Sequence, residues 1–168
     1  MSTGREAAGG AAAGCAVCLV ICWATTNLAA GPALAAGSSQ RSVRFLEISP
    51  PGSVQLLDHN RNRRPDPGES LAIRSDLYRW AGSSRGTHLG RLQMICILAA
   101  ARNGNCSGTV FLPGGTVQIK GFVDLDRNVD ELAVVGGTGT YSSARGTFVS
   151  ERLGGRGSPR ASDTIRLL

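Results

Sequence analysis

Thr116-Val117-Gln118-Ile119-Lys120-Gly121-Phe122-Val123-Asp124-Leu125 alternates between apolar and polar side chains. Val117, Ile119, Val123 and Leu125 fall on one face, and Gln118, Lys120 and Asp124 on the other, with Phe122 among them. The period is two, where a helix would repeat its apolar residues three and four apart, so the stretch reads as a half-buried strand. Pro113-Gly114-Gly115 comes just before it and reads as a tight turn. A strand therefore precedes the turn, over residues 106–112.

Working outward, the same pattern predicts strands over 43–48, 70–80, 91–99, 131–135, 141–151 and 164–168. Residues 49–68 read as a long loop rich in Pro, Asn and Arg. Residues 81–90 read as a Gly/Ser loop, and Asn103-Gly104-Asn105 as a turn. No stretch after residue 36 has helical periodicity. Short strands joined by hairpin-like turns predict an all-β fold, either a closed eight-stranded antiparallel β-barrel or a sandwich. Ile95 and Ile97 lie opposite Leu92, Met94 and Leu98, so both faces of that strand are expected to be covered. On a barrel, the outer cover would be a subunit interface.

Composition agrees with many turns. The 168 residues include 23 glycines, and aromatics make up only 5%. The net charge of +6 is carried by arginine, since Lys120 is the only lysine. The arginines are spread along the chain. Their one local run, Arg61-Asn62-Arg63-Arg64, has no interleaved aromatics to stack on bases, so no nucleic-acid partner is expected.

Residues 1–36 have a different character. Arg5 stands in a short polar start, and an apolar stretch follows from Ala11 to Ala30, ending in the small-residue site Ala33-Leu34-Ala35-Ala36. This is the pattern of a secretory signal peptide. The alternative is an uncleaved membrane anchor, but the strongly apolar part is shorter than a spanning helix prefers. The expectation is a signal peptide over 1–36 and a single domain over 37–168, secreted and without stable membrane insertion once the leader is gone. Cys15, Cys18 and Cys22 leave with it, and Cys96 and Cys106 remain of the 5 cysteines. In an oxidising compartment the two suggest one disulfide, closing a loop of about 11 residues and contributing about 3 kcal/mol. Two buried free thiols are the alternative. No metal is expected, because His59 and His88 lie far from these cysteines in apparent loops.

The most distinctive stretch is Ala133-Val134-Val135-Gly136-Gly137-Thr138-Gly139-Thr140-Tyr141-Ser142-Ser143-Ala144-Arg145-Gly146. It resembles the GGTG-x-[FY]-x-x-ARG signature of dirigent proteins and allene-oxide-cyclase-like barrels. Asp76-Leu77-Tyr78 on an early strand and Leu112-Pro113-Gly114-Gly115 between two later ones follow the same order. The resemblance implies an eight-stranded antiparallel barrel, commonly a homotrimer, with a mainly apolar cavity for a small hydrophobic ligand. It implies dirigent coupling of radicals, or a cyclase (isomerase) closure of an unstable molecule. Neither needs a metal or organic cofactor, and both act by holding a reactive molecule in one conformation.

On that reading Asp76, Arg145 and Tyr141 are the candidate catalytic residues, a carboxylate and a guanidinium able to polarise an oxygen or move a proton. Tyr78 and Arg74 share the strand face of Asp76 and are candidate ligand contacts. The motif also has purely structural uses: its glycines permit a tight reversal, Tyr141 can plug a barrel end, and Gly146 can let strands approach. A non-catalytic secreted ligand-binding or cell-surface protein on the same scaffold is the alternative function.

Three other signals carry less. Gly82-Ser83-Ser84-Arg85-Gly86 matches the spacing of a hydrolase elbow but lacks the following helix. Asp124, Asp126, Asn128 and Asp130 imitate a calcium loop, but Val129 replaces the required Gly and Val135 stands where Glu belongs, so they read as a solvated turn. Asn105-Cys106-Ser107 is a glycosylation sequon spoiled by its cysteine.

Overall fold

The computed structural model describes residues 41–82, 84–155 and 157–168. The leader and its end at Ala36 lie outside the described residues. The elements are β1 (Arg41–Ile48), β2 (Val54–Leu57), β3 (Ser70–Ala81), β4 (Ser84–Ala100), β5 (Asn103–Leu112), β6 (Gly115–Asp124) and β7 (Val129–Gly137). A single 3-10 turn (Gly139–Tyr141), β8 (Gly146–Arg152) and β9 (Arg160–Leu167) complete the chain. All pairings are antiparallel and follow chain order from β3 to β9. β9 pairs with β1, and β1 pairs back onto β3 from Phe45↔Arg79 to Ile48↔Asp76, which closes the barrel. Closure leaves eight staves, as expected.

The short β2 is additional. It pairs with the first half of β3 (Val54↔Ile73 to Leu57↔Ser70), while β1 pairs with the second half. β1 and β2 therefore share one edge of β3, separated by Pro50-Pro51-Gly52. Proline cannot donate to a ladder, so the pairing breaks there. The predicted loop over 49–68 thus contains a strand.

Two further expectations need correcting. The predicted Gly/Ser loop over 81–90 is mostly strand, because β4 begins at Ser84. A side chain at Gly90 would place its Cβ 1.8 Å from the Phe111 carbonyl oxygen, so this glycine serves close strand approach instead of loop flexibility. The predicted strand over 141–151 begins only at Gly146, because Gly139–Tyr141 is a 3-10 turn.

Every second residue of each stave faces the lumen. Leu92, Cys96, Leu98, Val110, Val117, Ile119, Leu132, Phe148 and Ile165 form the buried core. The Phe45 and Phe148 rings meet 6.3 Å apart inside it. Burying each such side chain contributes about 1.5–3 kcal/mol. Cys96 and Cys106 lie opposite each other on β4 and β5 and form a disulfide directed into this core. On the outer face Ile95, Ile97 and Phe122 are 56%, 58% and 51% exposed in the single chain.

The two barrel ends differ. The turn holding Gly139–Tyr141 closes one end: Thr140 N–H donates to the Gly114 carbonyl, and Tyr141 packs against the core. The connections after β1, β4, β6 and β8 lie at the other end, where the lumen opens.

Candidate active site in the open barrel end

The open end holds a cavity of about 650 Å³. Its walls are Ile73, Leu92, Met94, Val123, Leu132 and Phe148. Its polar side is Glu47, Asp130, Ser150 and Arg152. Volume and lining suit a small organic ligand. The register explains how these groups meet. Asp130 pairs with Ser150, and Ser150 with Asp163. Glu47 pairs with Ala161, and Ala161 with Arg152. Five polar residues from four strands thus occupy two adjacent rungs just inside the mouth.

Their charges are strongly constrained. Arg152 Nη2 donates to Asp130 Oδ2 at 3.0 Å, and the two side chains are only 16% and 8% exposed. Asp130 Oδ1 accepts the Asp124 N–H at 2.9 Å. Arg152 Nη1 is shielded from solvent and meets no acceptor. Such a donor beside a cavity is suited to a ligand oxygen that carries or develops negative charge. Ser49 and Ser75 join their hydroxyls at 2.8 Å, and the Ser49 N–H donates to the Pro159 carbonyl at 2.7 Å, which ties two mouth loops together.

Asp163 is fully buried, and its carboxyl is pushed well above the usual range. Burial is the main cause; the negative charge of Glu47 and a hydrogen bond with it add to the shift, and the Ser150 hydroxyl opposes it. No fixed donor meets either Asp163 oxygen in good geometry. A proton on Asp163 reconciles these facts, because the protonated acid itself donates toward Glu47. Next to Glu47, which lines the cavity, a carboxyl with a raised pKa is suited to general acid–base work.

A pH prediction follows. The folded state holds its Asp163 proton above the ordinary value of 3.8, whereas the unfolded chain releases it there. Stability should therefore be fullest below that value and fall as pH rises through the raised one. Asp163→Asn removes the titration. Denaturant midpoints should show the variant gaining on the order of 1–3 kcal/mol over the parent at pH 8, and much less at pH 4. Parallel curves for the two proteins would refute the assignment.

The residues singled out from sequence stand elsewhere. Asp76, Tyr78 and Arg74 lie on the outer face of β3. There Tyr78 meets His88 edge-on at 5.4 Å, His88 Nε2 is 3.9 Å from Asp76, and Arg74 and Asp76 line an external groove. Tyr141 and Arg145 belong to the closed end, where Arg145 Nη1 donates to the Ala144 carbonyl at 2.7 Å. None of the five lines the open cavity. Asp130, read as part of a solvated turn, is a buried member of the site.

The sequence does carry one signal for the polar group at the mouth. Glu47 shares parity with Val43 and Phe45, Asp130 with Leu132 and Val134, and Asp163 with Ala161 and Ile165. A charge on the apolar parity of a strand faces the core.

The closed eight-stave antiparallel barrel is the allene oxide cyclase/dirigent-like fold. Three solved structures document the likeness. A pyocyanin demethylase matches with a TM-score of 0.59 and 17% identity, over 76% of this chain and 100% of that one. A pterocarpan synthase dirigent protein matches with a TM-score of 0.59 and 18% identity, over 76% and 82%. A Diels-Alderase from Streptomyces koyangensis matches with a TM-score of 0.55 and 18% identity, over 80% and 72%. At these identities the likeness establishes the fold. No protein-family model and no curated protein matches the chain.

Proposed function

We propose that this is an exported barrel protein that binds a small hydrophobic molecule in its open end and directs its cyclisation or stereoselective coupling. The observation that carries the proposal is the 650 Å³ cavity with apolar walls and one acid–guanidinium side. The walls hold a flexible molecule in one folded conformer. Arg152 Nη1 stabilises charge on a ligand oxygen, and the Asp163–Glu47 pair gives or takes the proton. We place the chemistry there and not at Asp76, Tyr141 and Arg145. Like-folded proteins that include a Diels-Alderase and a pterocarpan synthase dirigent protein support the reading. Export rests on the apolar leader and on the Cys96–Cys106 disulfide, a bond that persists in oxidising compartments. Among the described residues, no helix is long and apolar enough to cross a membrane. A homotrimer would cover exposed Ile95, Ile97 and Phe122.

Met94 lines the cavity and is only partly buried, so Met94→Trp should fill the space and spare the barrel. Binding of an apolar fluorescent probe, anilinonaphthalene sulfonate, should weaken at least about tenfold, with unchanged circular dichroism. Native mass spectrometry of protein from its host's medium should show a retained ligand that Met94→Trp excludes. Equal probe binding by both proteins, with no retained ligand, would reject the proposal.

One observation favours a second reading, a non-catalytic surface protein. Arg44, Arg85 and Arg91 stack on Trp80, Tyr78 and Phe111 at 4.1, 5.0 and 4.5 Å along the outer face. Salt-sensitive binding to a polyanion, unaffected by Met94→Trp, would select it.

A further inference from the structure

Between β2 and β3 the chain runs Asp58-His59-Asn60-Arg61-Asn62-Arg63-Arg64-Pro65-Asp66-Pro67-Gly68-Glu69. Asp58, Asn60, Asn62, Asp66 and Glu69 occupy the first, third, fifth, ninth and twelfth places. Arg64 stands at the seventh, where a calcium loop of the EF-hand type contributes a backbone carbonyl. The twelfth place, here Glu69, is the one that supplies a bidentate glutamate. Such loops use Gly at the sixth place for a sharp turn. Here Arg63 takes the left-handed conformation itself, with φ of 60°. The backbone therefore makes the turn without the glycine.

The side chains converge. The Arg63 N–H donates to Asp58 Oδ2 at 2.6 Å, and the Asp66 N–H to Glu69 Oε2 at 3.0 Å. Asn60 and Asn62 both turn their amides toward Asp66 Oδ2. Their carbonyl oxygens accept the Asn62 and Arg64 N–H groups and retain a second lone pair each.

An independent observation points to a cation. Glu69 is only 4% exposed, its carboxyl sits against the loop backbone at Asp66, and its Oε1 is shielded with no donor. Asp58 Oδ1 is shielded and unpartnered in the same way. Two buried carboxylate oxygens without donors in one loop are costly unless something positive meets them. Hard oxygen donors with no sulfur or imidazole in the set suit calcium.

We propose that residues 58–69 form a calcium site, with Asp58, Asn60, Asn62, Asp66 and Glu69 as side-chain ligands and the Arg64 carbonyl as a sixth. Among the described residues, no three His, Cys, Asp or Glu side chains are gathered closely enough to hold a metal by themselves. This set instead draws half its donors from amides and a carbonyl, and it closes on the ion. The loop ends where the Gly68 N–H donates to the Leu98 carbonyl and the Leu98 N–H to the Glu69 carbonyl, each at 2.8 Å. Calcium would thus staple the β2–β3 connection onto β4.

The test is calorimetric titration of the chelator-stripped full chain with calcium chloride, with thermal melting in parallel. One site with a Kd on the order of 10⁻⁴–10⁻³ M is expected, as in extracellular calcium modules. The melting temperature should rise by several degrees in about 10 mM calcium, and much less in magnesium. Glu69→Gln and Asn62→Ala should each weaken binding about tenfold or more. Asn62 is exposed, so its variant keeps the test valid if the buried Glu69 variant fails to fold. Three results would overturn the site: no calcium response, an equal magnesium response, or undiminished binding by Asn62→Ala.

Discussion

Arg152→Ala is expected to destabilise the barrel by about 3–5 kcal/mol, because it leaves Asp130 charged, buried and without its cation. Exposed arginines such as Arg127 should cost under about 0.5 kcal/mol by the same denaturant measurement. The double variant Arg152→Met with Asp130→Leu separates structure from function. Replacing both charges with apolar side chains should recover most of the lost stability. If Arg152 Nη1 also holds the ligand oxygen, the recovered protein should still bind charged ligands at least about tenfold less tightly than the parent. Full recovery of both properties would reduce the pair to architecture.

The second large effect lies at the closed end. Gly146→Ala should cost about 4 kcal/mol, while Gly136→Ala, ten residues earlier in the same motif, should cost under about 1 kcal/mol. Gly146 has φ of +146°, and a Cβ there would fall 1.9 Å from the Arg166 carbonyl oxygen. Both problems involve backbone and neither can relax by moving a side chain. At Gly136 the nearest atom to a built Cβ is the end of Arg145, 3.8 Å away. Similar midpoints for the two variants would show that the motif's glycines tolerate side chains alike, contrary to this geometry.

These two variants mark the two ends of the barrel, and the ends were unequally legible. The motif from Ala133 to Gly146 carries a dense local signal, because glycines that permit turns and close approaches are written into neighbouring positions. That signal led to the fold, and it drew attention to Tyr141 and Arg145. The polar group at the mouth comes from four strands, and its members are separated by up to 116 residues, from Glu47 to Asp163. No local motif can join them. Their only trace is a charge on the apolar parity of each strand, which for Asp130 was obscured by the acidic turn before it.

The sequence by itself determined an all-β chain of about eight strands and a glycine-shaped turn, and it favoured a Cys96–Cys106 disulfide over two free thiols. Each of these depends on alternation, turn chemistry or short separations, which adjacent residues encode. Only the tertiary structure decided which charges face the lumen and which face water. Facing depends on register, and irregularities beside Tyr78 and at Val135, between the pairs Gln118↔Gly136 and Ile119↔Val134, shift it by a residue. One such shift turns every following side chain to the opposite face. Asp76 precedes the first of these irregularities and faces outward with Arg74 and Tyr78 by plain alternation, whereas Glu47 and Asp163 alternate inward on β1 and β9, whose pairing is unbroken. Closure of β1 onto β3 supplied the rest, because it encloses the lumen in which Glu47 and Asp163 meet.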